Sequence, residues 1–231
     1  MSVTRARRVV AVLATVSLSA GAFIGVPPAS ASAQCTINGT PGADVLVGTD
    51  GPDVICGAGG ADLILGMGGN DLIYGGTGSD KIDGGSGDDT IYGGNEHDRI
   101  VGGGGDDVIY GDTGMDWLSG GEGDDTIRGG NDADTLLGDD GNDTLFGELG
   151  IDVLVGGNGE DQLTGGHDGD LLFGSAGADQ LFGNLGNDRL FGGAGIDLLD
   201  GGHDQDSCEG TNGADTFSNC ENRSEWDEAA A

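Results

Sequence analysis

An aspartate returns at every ninth residue of this chain, and that spacing limits its fold more than any other feature. Between Gly39 and Phe217 twenty aspartates keep this interval without an insertion or deletion. A glycine stands five residues before each of these aspartates, and an apolar side chain stands two residues after each, with Cys208 as the one unusual member. A period kept this strictly indicates an array of stacked structural repeats. The ladder aspartates are Asp44, Asp53, Asp62, Asp71, Asp80, Asp89, Asp98, Asp107, Asp116, Asp125, Asp134, Asp143, Asp152, Asp161, Asp170, Asp179, Asp188, Asp197, Asp206 and Asp215.

Within one repeat the register is G-G-x-G-x-D-x-U-x, where U is apolar, and residues 75–83 are a clean copy. Glycine reaches backbone conformations with positive φ, so the first six positions suit a tight turn. The last three, such as Thr90-Ile91-Tyr92, place β-branched or aromatic residues around one inward side chain and favour a short strand. Two repeats then make one coil of strand, turn, strand and turn. The prediction is an all-β fold, a parallel β-roll (a β-helix-like solenoid) of about ten stacked 18-residue coils, roughly 48 Å long at a strand spacing of about 4.8 Å.

This stacking places alternate aspartates along two opposite edges of the roll. Carboxylates about 4.8 Å apart repel by about 3 to 4 kcal/mol at an effective dielectric constant near 20, so the edges need cations. Carboxylates and glycine carbonyls form the all-oxygen ligand set that calcium accepts at six to eight positions, whereas magnesium demands stricter geometry and zinc prefers Cys or His. All twenty ladder aspartates are therefore predicted calcium ligands, and one ion between each neighbouring pair on an edge gives at most about 18 ions.

The register resembles the hemolysin-type calcium-binding repeats of RTX proteins, over about three quarters of the chain. The resemblance implies calcium binding by the turns, with the ladder aspartates as side-chain ligands and the turn glycines as carbonyl donors. Toxins and proteases of that family carry such repeats beside another domain, so pore formation, proteolysis and lipolysis are not carried over to this chain.

A second period of 36 residues overlies the first. Glu96, Asp132, Asp168 and Asp204 replace the third glycine of the motif, two residues before a ladder aspartate. If these side chains point toward the ions held by the ladder aspartates they are extra calcium ligands, and if they point to solvent they only add repulsion between negative charges. The slot prefers positive φ, which strains Glu more than Asp.

Residues 1–33 have the features of a secretory signal peptide: three arginines, an apolar run from Val9 to Val26, and Ala-Ser-Ala before Gln34. Cleavage is expected after Ala33, with Ala31 as the alternative, and a transmembrane anchor is the alternative to the signal peptide. The mature chain carries five basic residues against 41 acidic ones, a net charge of −36, which excludes nucleic acid as a partner.

Residues 34–226 are predicted to form a single calcium-binding β-roll with a cap at each end. Four cysteines allow three connectivities, of which Cys35–Cys56 and Cys208–Cys220 are favoured because each pair then staples one end of the roll. Trp226 is expected to cover the last coil, and residues 227–231 are expected to fray.

The sequence contains no H-E-x-x-H, G-x-S-x-G or P-loop motif, so we expect no enzymatic activity. His97, His167 and His203 are read as surface residues, with extra metal contacts as the alternative. The favoured function is a secreted, extracellular calcium-binding protein that folds on calcium and acts as a structural, adhesive or accessory module. An enzyme whose site the motifs do not reveal, and an ice- or polysaccharide-binding roll, are the alternatives.

Outward-facing aromatic residues recur at the coil period. One face carries Tyr74, Tyr92, Tyr110, Phe146 and Phe182, and the opposite face carries Phe173 and Phe191. Cross-strand stacking explains these columns, and a binding face for a cell-envelope, polysaccharide or protein partner is the alternative.

Overall fold

The structure is a computed structural model that describes residues 35–211 and 214–225. These residues form two parallel sheets of eleven strands each, joined by turns. The described part of the chain contains no helix that is long and apolar enough to cross a membrane. The segment 1–33 predicted as a signal peptide, Trp226 and the tail 227–231 all lie outside the described residues.

Odd-numbered strands form one sheet and even-numbered strands the other. The first sheet contains β1 (Ile37–Asn38), β3 (Val54–Cys56), β5 (Leu72–Thr77), β7 (Thr90–Asn95), β9 (Val108–Thr113), β11 (Thr126–Asn131), β13 (Thr144–Leu149), β15 (Gln162–His167), β17 (Gln180–Leu185), β19 (Leu198–His203) and β21 (Thr216–Ser218). The second contains β2 (Val45–Val47), β4 (Leu63–Gly68), β6 (Lys81–Ser86), β8 (Arg99–Gly104), β10 (Trp117–Glu122), β12 (Thr135–Asp140), β14 (Val153–Asn158), β16 (Leu171–Ala176), β18 (Arg189–Ala194), β20 (Ser207–Gly210) and β22 (Asn222–Glu225).

Each strand pairs in parallel with the strand one coil further along the chain. Ile73 of β5 pairs with Ile91 of β7, and Tyr92 of β7 pairs with Tyr110 of β9, both at an interval of 18 residues. The predicted parallel β-roll of about ten 18-residue coils is confirmed. The interior strands are six residues long, whereas three were expected, because backbone pairing continues across the first glycines of the following motif, as in Gly76 with Gly94.

The core is a single file of side chains between the two sheets. Nineteen Ile and Leu residues from Ile37 to Leu199, one in each coil half, are at most 3% exposed. Cys208 continues the file, and Phe217 packs against its end as a partly buried residue. With only one inward side chain in nine, the apolar core is thin, so the edges of the roll must contribute to stability.

The turns depend on left-handed backbone at two positions, four and two residues before the ladder aspartate. Gly76 and Gly78, which precede Asp80, have φ of 111° and 110°. A Cβ on Gly76 would lie 2.6 Å from the carbonyl oxygen of Ala58 in the preceding coil, so the close stacking of turns also favours glycine there.

Disulfides lie near both ends of the roll, as predicted. Cys35 bonds to Cys56, and Cys208 bonds to Cys220. The last described coil is shorter than the period, since Cys208 of β20 pairs with Arg223 of β22 at an interval of 15 residues. The 18-residue register that would have placed Trp226 opposite Cys208 therefore does not extend to this strand.

Candidate metal sites along the two edges

The ladder aspartates lie in two files, as the coil length requires. We call the file that begins at Asp44 the Asp44 edge and the file that begins at Asp53 the Asp53 edge. Successive members of a file are 18 residues apart and belong to stacked coils. The eighteen aspartates from Asp53 to Asp206 are at most 5% exposed, which is unusual for carboxylates.

One oxygen of each carboxylate is used by the backbone. The N–H of Asp80 donates to Asp98 Oδ1 at 2.8 Å, and the N–H of Asp89 donates to Asp107 Oδ1 at 2.7 Å. Eighteen bonds of this type, 2.7–3.0 Å long, join each ladder aspartate to the next member of its file. The sequence analysis did not predict this bond, although the strict recurrence of one short acidic residue every 18 residues was consistent with it.

The other oxygen has no hydrogen-bond partner in most of the ladder. In seventeen aspartates, every member from Asp62 to Asp206, Oδ2 is buried and accepts no hydrogen bond. A buried polar atom without a partner is rare in proteins and calls for an explanation such as a bound ion. The remaining three aspartates, Asp44, Asp53 and Asp215, accept a bond on Oδ2 from the backbone N–H of a threonine four residues earlier.

Backbone carbonyls converge on these free oxygens. A Cβ built on Gly93, five residues before Asp98, would lie 2.6 Å from Asp98 Oδ2 and 3.0 Å from the carbonyl oxygen of Gly111 in the next coil. In all twenty repeats the Cβ of this glycine would lie within 3.2 Å of the aspartate Oδ2. The absent side chain thus leaves a cradle between stacked coils that is lined by oxygen atoms. Carboxylate and carbonyl oxygens fit calcium.

Side chains alone do not supply all the ligands of a metal site. Among the described residues, no group of three or more His, Cys, Asp or Glu side chains is placed to hold a metal ion. Any ion on the edges must therefore take backbone carbonyls as well, which argues against zinc and for a hard cation.

Burial disfavours the ionised form of these carboxylates when no cation is present. It raises the pKa of Asp71, Asp107 and Asp125 to about 7, while the N–H bond to Oδ1 opposes the rise and neighbouring acids add to it. On the Asp44 edge, burial followed by like-charge repulsion raises the pKa of Asp98, Asp134 and Asp170 to about 8.

The four added acids occupy the left-handed slot. Glu96, Asp132, Asp168 and Asp204 have φ between 70° and 84° and are solvent-exposed. Glu96 Oε2 accepts a hydrogen bond from the N–H of Gly78 in the preceding coil at 2.5 Å. Their charges contribute to the raised pKa values of the adjacent ladder aspartates, so they lie within electrostatic reach of the Asp44 edge.

A second, exposed ladder on the Asp53 edge was not anticipated. The N–H of Asp106 donates to Asp88 Oδ1, the N–H of Asp124 donates to Asp106 Oδ1, and the N–H of Asn142 donates to Asp124 Oδ1, at 2.8–3.1 Å. These residues directly precede the ladder aspartates. Their oxygens bind backbone of the neighbouring coil, which gives them a structural role in the turn.

The histidines are exposed, as predicted. His97 Nδ1 accepts a hydrogen bond from the N–H of Met115 at 2.8 Å, so this ring holds the neighbouring turn. His167 and His203, the last residues of β15 and β19, are also exposed.

The aromatic columns lie on the predicted faces. The rings of Tyr74, Tyr92 and Tyr110 stack with centroids 5.1 and 4.7 Å apart and nearly parallel planes. On the opposite face Phe173 stacks on Phe191 at 4.9 Å. Phe146 is covered by the guanidinium of Arg128 at 4.2 Å, and Phe182 lies in β17 of the tyrosine-bearing sheet.

No curated protein sequence matches the chain. Among the solved structures, a hyperactive, calcium-dependent, β-helical antifreeze protein from an Antarctic bacterium matches with 22% identity over 83% of this chain and 70% of that chain, with a TM-score of 0.37.

The family description "RTX calcium-binding nonapeptide repeat (4 copies)" matches overlapping segments that run from residue 38 to residue 217. The matched segments are 38–73, 65–100, 74–109, 92–125, 110–145, 146–181 and 182–217. They contain all twenty ladder aspartates and nearly all of the described strands. The chain is a calcium-binding β-roll and belongs to the RTX calcium-binding nonapeptide repeat family.

Proposed function

We propose that this chain is a secreted, extracellular, non-enzymatic protein that folds when calcium fills the two aspartate edges and then serves as a structural, adhesive or accessory module. The observation that carries the proposal is the set of seventeen buried Oδ2 atoms without a hydrogen-bond partner. Seventeen such groups in one small domain are far more than a stable protein carries without ligands.

The proposal follows from the cost of burying unpaired charge. A buried carboxylate with one unpartnered oxygen and no cation nearby destabilises the folded state or becomes protonated. A file of calcium ions removes that cost, because each ion neutralises neighbouring carboxylates and accepts carbonyl ligands from adjacent coils. Since the core is a single file of side chains, calcium binding and folding are expected to be one event.

Circular dichroism tests this directly. At pH 7.5 the chain freed of calcium by a chelator should lack the β-sheet signal, and millimolar calcium should restore it cooperatively. Magnesium at the same concentration is the control and should substitute poorly. A full β-sheet spectrum in excess chelator at this pH would contradict the proposal.

The added acids are proposed to strengthen calcium binding on the Asp44 edge. They lie within electrostatic reach of Asp134, Asp170 and Asp206, and extra ligand charge raises calcium affinity. The triple variant Asp132→Gly, Asp168→Gly, Asp204→Gly should weaken a subset of sites in calorimetric titration, although glycine relieves the left-handed strain. If every site of this variant kept its calcium affinity, these acids would point to solvent and have no role in calcium binding.

Secretion is supported by the two disulfides and by the family to which the chain belongs. Capture experiments on cell envelope and extracellular polysaccharide, with and without calcium, test the module role. Substrate turnover by the purified chain would contradict its assignment as a non-enzyme.

The aromatic columns support stabilisation of the sheets more than recognition of a partner. In the tyrosine column the ring faces cover one another, so few faces remain for stacking on a sugar. A partner on this side of the roll would therefore contact mainly ring edges and hydroxyl groups. Replacing Tyr74, Tyr92 and Tyr110 by serine, and repeating the capture experiments with calcium present, separates the two roles.

A further inference from the structure

Three threonines divide the aspartate ladder into two kinds of turn. Thr40, Thr49 and Thr211 stand four residues before Asp44, Asp53 and Asp215, which are the first two members of the ladder and the last. Each of these turns reads G-T-x-G-x-D, and no other repeat has threonine at that position. The exceptions to the motif are therefore confined to the ends of the array.

In these turns the threonine satisfies the carboxylate. The N–H and the hydroxyl of Thr40 donate to Asp44 Oδ2 at 2.6 and 2.8 Å. The N–H and the hydroxyl of Thr49 donate to Asp53 Oδ2 at 2.7 and 2.9 Å. The N–H of Thr211 donates to Asp215 Oδ2 at 3.0 Å, and its hydroxyl donates to the carbonyl of Gly193.

The difference arises from the backbone. In every repeat from Asp62 to Asp206 the residue four before the aspartate has positive φ, including the non-glycine residues Ala58, Met67, Asp112, Ser175 and Asn184. Among the described residues, none of the three threonines has positive φ. A β-branched side chain is strongly disfavoured there. The threonine turn adopts the other conformation, in which its N–H points at Oδ2.

We propose that Thr40, Thr49 and Thr211 close the end turns to calcium by occupying the aspartate oxygen that would bind it, so that metal sites are confined to the turns from Asp62 to Asp206. The inference rests on the proposed function, since it assigns calcium to the seventeen free oxygens. It removes Asp44, Asp53 and Asp215 from the calcium ligands that the period alone predicts. The end turns then fold on hydrogen bonds and can support the first metal-binding coil.

A single methyl group provides the sharpest test. Ser175 precedes Asp179 by four residues, has φ of 83°, and leaves Asp179 Oδ2 without a partner. The variant Ser175→Thr adds the β-branch and converts this turn to G-T-x-G-x-D. Native mass spectrometry of the calcium-loaded chain, which counts bound ions individually, should find one ion fewer than in the matched control Ser175→Gly, which carries the motif glycine.

The opposite change should open a site. Thr49→Gly together with Pro52→Asn restores the full motif before Asp53, and Pro52→Asn alone is the control that keeps the threonine. The double variant should bind one ion more than its control. The inference is overturned if Ser175→Thr binds as many ions as Ser175→Gly, or if the double variant binds no more than Pro52→Asn. If the unaltered chain binds no calcium, it is the proposed function that fails.

Discussion

Each interior ladder aspartate uses its two carboxylate oxygens for different purposes. Oδ1 accepts the N–H of the aspartate one coil earlier, and Oδ2 faces the oxygen-lined cradle. Asn supplies only the first function, because its second polar atom is a donor. Glu is one methylene longer and would displace both oxygens. The ladder can therefore be invariant in Asp for reasons of geometry as well as charge.

Asp125 is suited to separating these functions. Its Oδ1 accepts the N–H of Asp107 at 2.7 Å, and its Oδ2 has no partner. Asp125→Asn should keep the backbone bond, lose one calcium ion and raise the calcium concentration at the folding midpoint. Asp125→Ala should raise that midpoint further, because the buried N–H also loses its acceptor at a cost of about 1–3 kcal/mol.

Calcium titrations followed by circular dichroism measure these midpoints. The control is Glu122→Gln, which neutralises an exposed acid three residues before Asp125 and should leave the midpoint close to that of the parent chain. Equal ion counts for Asp125→Asn and the parent would show that Oδ2 is not a ligand.

At the scale of the element, each turn is a narrow cradle whose glycines are not equivalent. The turn before Asp107 contains Gly102, Gly103 and Gly104. A Cβ on Gly102 would overlap Asp107 Oδ2 and lie 2.7 Å from the carbonyl oxygen of Gly120, whereas a Cβ on Gly104 would meet nothing within 4 Å. The first glycine of the motif therefore keeps the cradle open, and the third position of this turn does not require glycine.

This difference predicts opposite effects of the same substitution within one turn. Gly102→Ala should abolish the adjacent calcium site and raise the calcium concentration needed for folding, because its methyl group fills the cradle. Gly104→Ala should be neutral or stabilise the loaded roll by about 0.4–1 kcal/mol, since it restricts the unfolded chain at a position without steric conflict. Calcium titration and thermal unfolding of both variants measure the effects, and similar behaviour of the two would contradict the assignment of the cradle.

On the scale of the whole molecule, the buried files make the calcium-free roll sensitive to pH. In the folded chain burial raises the pKa of every ladder aspartate from Asp62 to Asp206, for example from 3.8 to about 6 at Asp62 and to about 8 at Asp98. Between pH 4 and pH 8 the folded state therefore binds more protons than the unfolded state. Its stability is greatest below the unfolded pKa and is lost as pH rises through the folded values.

In chelator, acidification from pH 8 to pH 5.5 should therefore increase the β-sheet signal of the chain. With calcium present the dependence should reverse, because protons compete with the ion for Oδ2, so the calcium concentration at the midpoint should rise as pH falls. Circular dichroism at the two pH values, with and without calcium, measures both trends. A chelated chain that gains structure as pH rises would contradict the buried position of the carboxylates.

The nine-residue period was sufficient to predict the coil length, the two parallel sheets, the inward file and the two edges, because all of these depend on spacing alone. The disulfides could be predicted because Cys35, Cys56, Cys208 and Cys220 stand at the ends of the array. The bond from Oδ1 to the backbone was not predicted, since it depends on how far a side chain reaches between coils. The 15-residue final coil was also missed, because the period stops at Asp215 and nothing beyond it sets a register.

The distinction between open and closed turns is visible in the sequence as threonine in place of glycine. Its meaning required the backbone conformation, because Ser175 and Asn184 also replace that glycine and leave the aspartate oxygen free. A side chain's hydrogen-bonding capacity did not decide the outcome there. The outcome depended on whether the side chain tolerates positive φ.

The end strands limit what can happen when two such molecules meet end to end. Interior strands pair over six residues, whereas, among the described residues, β1 has two, β2 and β21 have three, and β22 has four. A stacked parallel sheet exposes unpaired backbone groups only at its two ends, and those groups could template a second chain. Because the terminal strands offer so short a row, end-on stacking would form few hydrogen bonds, and the rolls are poorly suited to joining into fibres along their axis.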